Sequence, residues 1–169
     1  MFKLIASALL LIVFFTNVNA QATATATATA TIVTPISIAK TADMSFGNVS
    51  VQAATGGTVV LAPAGTRTRT SGVTLPATTG TVTAAAFTVT GTGTYTYAIT
   101  LPTAAVSLIH ATVPANTMDA TLFTSTPSGT GALTGGTQNI TVGATLTVAA
   151  GQPAGVYTSG NFDVTVNYN

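Results

Sequence analysis

Hydrophobic and polar positions alternate along most of the chain with a period of two, the spacing of extended strands whose successive side chains point to opposite faces. The most regular case is residues 21–34, QATATATATATIVT. In an extended chain Ala22, Ala24, Ala26, Ala28, Ala30 and Ile32 share one side, the threonines take the other, and Val33 closes the run. Shorter runs follow. Ile36-Ser37-Ile38-Ala39 and Met44-Ser45-Phe46 predict a first strand with a break near residues 40–43, after the bend at Thr34-Pro35. A strand is expected over 58–61, then an alternating edge strand or hairpin arm from Thr66 to Thr70. Strands are also expected around Phe87 and Val89, and over 95–101 with Tyr95, Tyr97 and Ile99 on one face. In the second half, 105–111 puts Val106, Leu108 and His110 on one parity and Ile109 on the other. Residues 120–125 carry Leu122 and Phe123, 128–136 read as a Gly-rich loop, and 139–149 alternate with Gly143 as a bulge. The final strand covers 156–168. Turn signals every 8 to 12 residues or so between short strands predict an all-β antiparallel sandwich.

The first twenty residues break this rhythm. Lys3 supplies a positive charge, residues 4–15 are nearly all apolar, and Val18-Asn19-Ala20 offers the small residues a signal peptidase reads. The apolar run is too short for the roughly 20 residues of a spanning helix. The expectation is a signal peptide over 1–20, an N-terminal extension over 21–34 and a sandwich domain over 35–169. The exported chain is then secreted, extracellular or held at a bacterial cell surface, and inserts in no lipid bilayer after cleavage.

Composition narrows the class. Hydrophobic residues make up 47% of the sequence, enough for a core, while charged residues are only 4%. Beyond the signal segment Lys40, Arg67 and Arg69 balance Asp43, Asp119 and Asp163, so no basic field exists to attract nucleic acid. With no cysteine the chain has no disulfide to rely on, and stability must come from the core or from assembly.

Catalytic chemistry finds few candidates. His110 is the only histidine and lies in an apolar strand segment, where a hydrogen-bonded structural role is expected rather than general-base work. The three aspartates are isolated in sequence and there is no glutamate; an enzyme, a cofactor site and a metal site are not expected. Lys40 near Asp43 lacks the glutamate that would promote a Lys–Asn crosslink. Asn48-Val49-Ser50 and Asn139-Ile140-Thr141 match the glycosylation sequon, a common chance match in a Thr-rich chain. Arg67 and Arg69 are expected to keep an edge strand soluble.

The alternating tract therefore carries the functional expectation. A spacer stays solvated with Pro, Ser or Gly; this tract has none, and uncharged strict alternation suits a segment that pairs. A sandwich lacking one strand exposes an apolar groove and two rows of unpaired backbone groups, which an extended segment satisfies on both sides. The repeats define a face but not a register, since a shift of two residues restores the same face; Ile32, Val33 and Pro35 must set it. A low-complexity or O-glycosylated stalk is the plainer alternative.

At the other end, Phe162, Val164, Val166 and Tyr168 fall on one parity and Asp163, Thr165 and Asn167 on the other. The segment Asp43-Met44-Ser45-Phe46-Gly47-Asn48-Val49, then Gly57 to Leu61, Arg67 to Leu75 and the closing Gly155 to Tyr168 resemble domain-of-unknown-function family 4402 of exported bacterial proteins. That family is similar in layout to spore coat protein U and chaperone-usher pilins, although cysteines common in pilins are absent here. The resemblance implies an incomplete immunoglobulin-like, pilin-like sandwich with an N-terminal donor strand. It also implies a periplasmic chaperone contacting Phe162, Val164, Val166, Tyr168 and Asn169, and an outer-membrane assembly protein. The expected function is a structural subunit of a pilus-like or fimbria-like filament, a head-to-tail homopolymer made by donor-strand exchange. The alternative is a monomeric adhesin or binding domain whose first strand folds back.

Overall fold

The computed structural model describes residues 21–169; the expected signal segment, 1–20, lies outside the described residues. Residues Val33–Asn169 form one compact unit. The Ala-Thr tract carries no strand, and residues 21–32 are exposed.

The compact unit is all-β. Its strands are β1 (Ser37–Ala42), β2 (Ser45–Phe46), β3 (Ser50–Val51), β4 (Gly57–Leu61) and β5 (Arg67–Arg69). There follow β6 (Val73–Thr74), β7 (Val82–Thr83), β8 (Ala85–Thr90), β9 (Thr96–Thr100) and β10 (Val106–His110). The last third holds β11 (Thr117–Thr126), β12 (Thr130–Ala132), β13 (Thr137–Val148), β14 (Tyr157–Ser159) and β15 (Thr165–Tyr168). All pairings are antiparallel.

The large sheet runs β1-β8-β13-β11-β10-β14, and β4 with β5 continues beside the second half of β13. At twelve residues β13 is long enough to take two partners on one edge, β8 from Thr137 to Val142 and β4 from Ala144 to Val148. The change of partner falls at Gly143. A Cβ there would overlap the Leu61 carbonyl, so the glycine serves this close approach. The bulge expected at Gly143 lies instead on the facing strand, where Leu122 and Phe123 of β11 stand against Ala144 alone.

A three-stranded sheet, β12-β9-β15, packs over one half of the large sheet. Tyr97, Ile99, Leu133, Val164 and Val166 meet Phe87, Val89, Ile140 and Val142 there in a first core cluster. Over the other half lie only the short pairs β2-β7 and β3-β6, and a second cluster joins Phe46, Val59, Leu61 and Val73 to Ala120, Leu146 and Val148. Met44 and Phe123 are partly buried against both clusters. The end of the unit with Thr34, Thr90 and Tyr168 is called proximal below, and the end with Val51, Val148 and Tyr157 distal.

Two segments of the second half depart from the sequence pattern, and in the first half the expected break at 40–43 is crossed by β1, with β2 in a separate pair. Thr130–Ala132 of the expected Gly-rich loop pairs with β9 as β12. The expected single strand over 156–168 is two: β14 pairs with β10 in the large sheet, and β15 with β9 in the small one. The chain crosses between the layers over residues 160–164.

Candidate functional site

Alternation puts Phe87 of β8, Leu108 of β10, Met118 of β11 and Leu146 of β13 on the inner face of the large sheet. In the distal half the second layer does not close over them. The result is an open groove of about 1190 Å³, walled by residues 42–51 on one side and 152–163 on the other. It exceeds the roughly 300–1,000 Å³ typical of small-molecule pockets and is elongated along two chain segments. Phe46, Phe123 and Phe162 line it, with Phe123 and Phe162 in contact at 5.2 Å between ring centroids.

Each wall is held from behind. Arg67 of the β4-β5 hairpin donates from Nη1 to the carbonyls of Phe46 and Asn48, the latter at 2.9 Å, which ties the first wall to the hairpin. Arg67 is half-buried, so besides marking an edge strand it is a fastener. The second wall is held by His110. Its Nδ1 accepts from the backbone N–H of Thr112 and Val113 at 3.2 and 3.1 Å, which leaves Nε2–H to donate to the Ala154 carbonyl at 3.1 Å. Gln152 donates to the Thr117 carbonyl and to Tyr157 Oη, and Tyr157 Oη donates to the Pro153 carbonyl. His110 is buried, with the Tyr157 ring edge-on to it at 4.9 Å.

The groove also has a free backbone edge. Among the described residues β14, in the wall formed by residues 152–163, is the last strand of the large sheet and pairs only with β10. The short strands β2 and β3 on the opposite wall each have a single partner, β7 and β6. An extended segment laid between the walls would meet unpaired backbone on both flanks.

The titratable side chains along the groove are Lys40, Asp43, Tyr157 and Asp163. Lys40 and Asp43 are exposed and paired with each other at 2.6 Å. Among the described residues no three His, Cys, Asp or Glu side chains gather as a metal site. Away from the groove, Tyr97 is fully buried, which pushes its phenol above its ordinary pKa, and it donates to Gln138 Oε1 at 2.6 Å.

Of the residues expected along the last strand, Phe162 lines the groove, while Val164 and Val166 are buried in the first core cluster. Tyr168 stands at the proximal end, its hydroxyl donating to the Thr34 carbonyl at 3.0 Å. Asn169 bonds Thr96 through its backbone N–H and its side-chain amide. The tract residues Ala22, Ala24, Ala26, Ala28, Ala30 and Ile32 are exposed, and Val33 is half-buried. Sequence reasoning missed Phe123 and the 44–51 wall as groove elements. The signal present was the apolar spacing of Met44, Phe46, Val49 and Val51, too irregular to read as one strand.

No curated protein and no solved structure matches the chain. Residues 36–168, nearly all of the compact unit, match the family described as Domain of unknown function (DUF4402), and the chain belongs to that family.

Proposed function

We propose that this protein is a structural subunit of an extracellular bacterial filament, built on an incomplete immunoglobulin-like, pilin-like sandwich. Residues 22–33 of one subunit fill the groove of the next as a donor strand. The observation that carries this is the divided core: two apolar clusters, joined chiefly through Met44 and Phe123, meet a groove bordered by the free edge of β14. Size complementarity supports it. Phe46, Phe123 and Phe162 line the groove with large rings, against which the small inward residues of an alanine row would pack. Twelve residues at about 3.3 Å each span about 40 Å, ample for the groove.

Export through the periplasm to the cell surface goes with this role, as does a periplasmic chaperone that covers the groove until an outer-membrane assembly protein exchanges it for the donor strand. The partner in the finished fibre is the protein itself, head to tail.

The test is deletion of residues 22–33. The full-length secreted protein is expected to form multimers of heterogeneous size that survive mild detergent, and the truncated protein to stay monomeric. A synthetic peptide of residues 21–34 should then raise the melting temperature of the truncated domain in a concentration-dependent way, because it binds only the folded state. A truncated protein that still polymerises would overturn donor-strand exchange.

A further inference from the structure

The tract leaves the compact unit through a closed hydrogen-bond ring. Thr34 N–H donates to Thr92 Oγ1 at 2.9 Å, and the Thr34 carbonyl accepts from Thr92 Oγ1 at 3.3 Å and from Tyr168 Oη at 3.0 Å. Tyr168 Oη in turn accepts from the Thr92 N–H at 2.7 Å. Both hydroxyls therefore donate and accept within the ring. The ring is built into the proximal end: Gly91 has no side chain where the Tyr168 hydroxyl passes, and a Cβ there would overlap it. The Tyr95 ring packs edge-on against Tyr168 at 5.7 Å. Pro35 follows and fixes its own φ. With both backbone groups of Thr34 held, the chain's exit direction is fixed to the domain.

This has a consequence for the filament, and it rests on the donor-strand function proposed above. If the donor face extends to Val33, no residue intervenes, and one residue step, about 3.3 Å of chain, joins the strand in one subunit's groove to the clamp on its owner. The groove opens in the distal half, and the donor departs from the proximal end. The proximal end of one domain must then lie against the distal end of the next, without a flexible link between them.

We infer that the Thr34–Thr92–Tyr168 ring is a rigid coupling, and that it presses the proximal face around Tyr95 against the distal rim of the next copy as a second interface beside the donor strand. The surfaces suit such a contact. Tyr95 is 47% exposed and borders a shallow depression of about 370 Å³ formed with Thr94, Thr96, Tyr168 and Asn169. At the distal rim Val156 is 69% exposed on the loop pinned by His110 and Gln152. Neither surface carries a charged side chain, and the polar groups of Thr94, Thr96 and Asn169 must find hydrogen-bond partners across the contact. The occupant of the proximal face is a second copy of this chain.

The experiment compares wild-type filaments by electron microscopy with three variants. Tyr168→Phe combined with Thr92→Val opens the ring, insertion of Gly-Ser-Gly-Gly between Val33 and Thr34 leaves the ring intact but lengthens the link, and Tyr95→Ser removes the exposed aromatic. All three keep residues 22–33 and are expected to polymerise, with a severalfold drop in persistence length and a broadened axial repeat. The insertion leaves the domain untouched, so it decides the matter even if the double substitution misfolds. Variant filaments as straight and as regular as wild type would overturn the coupling while leaving donor-strand exchange standing. A wild-type protein that forms no filament would overturn both.

Discussion

Leu122 is the only non-glycine residue with positive φ among the described residues, at 50°, and its side chain is 75% exposed. A left-handed leucine costs about 1 to 2 kcal/mol, and its exposure returns little of that through burial. What the strain accomplishes is the direction of the next residue: the bulge turns Phe123 inward onto Phe162. Leu122→Gly should keep the bulge and stabilise the domain by roughly 0.5 to 1 kcal/mol after glycine's own entropic cost, read as a higher urea midpoint. A lower midpoint would mean that Leu122 makes an unrecognised contact. Tyr97 offers a second test. Burial raises its phenol pKa, so the folded state holds the proton longer than the unfolded chain does. Its contribution is fully present below the unfolded value near 10 and is lost as pH rises through the folded value. Stability should fall above about pH 10, and Tyr97→Phe should remove part of that slope while costing about 1 kcal/mol at neutral pH for the bond to Gln138. At this scale parity was informative: Val106, Leu108 and His110 turn inward and Ile109 outward, as their spacing predicts. The bulge was misplaced because glycine signals a close approach as readily as an irregularity, and nothing local marks Leu122.

Among the elements, the wall formed by residues 42–51 depends most on a single side chain. The strands β2 and β3 are two residues each and cannot hold position by their own ladders. Arg67 supplies charge-assisted bonds to the carbonyls of Phe46 and Asn48. Arg67→Met keeps the length of the side chain and removes both bonds; a loss of about 1 to 3 kcal/mol is expected. Amide exchange should accelerate first in residues 45–51, and uniform acceleration across the domain would show that Arg67 does not act locally. The edge position of Arg67–Arg69 was legible from its alternation, but its fastening role was not, since it depends on a backbone twenty residues away. The final strand illustrates another limit. Phe162 to Tyr168 keep one parity, and a single residue out of step, Tyr157, does not reveal that β14 and β15 belong to different sheets. Gly160-Asn161 is the only local cue to the crossover.

For the molecule, the all-β antiparallel class and the family were both legible, the first because short alternating runs recur between turn signals, the second because its motifs keep their order over residues 36–168. The groove was legible only as a need of the alternating tract, not as a place, since its floor draws on β8, β10, β11 and β13 and no single stretch encodes it. The divided core bears on how the domain comes apart. Two apolar clusters joined chiefly through Met44 and Phe123 need not melt together. The distal cluster, capped by two-residue strands, should open at lower free energy than the proximal one under β9, β12 and β15. Calorimetry of the tract-deleted domain should give a van't Hoff enthalpy below the calorimetric one, the mark of more than one cooperative unit. Adding the peptide of residues 21–34 should bring the two into agreement. The proposed donor strand would then act on cooperativity itself, turning two weakly coupled halves into a single unit able to transmit load along the proposed fibre.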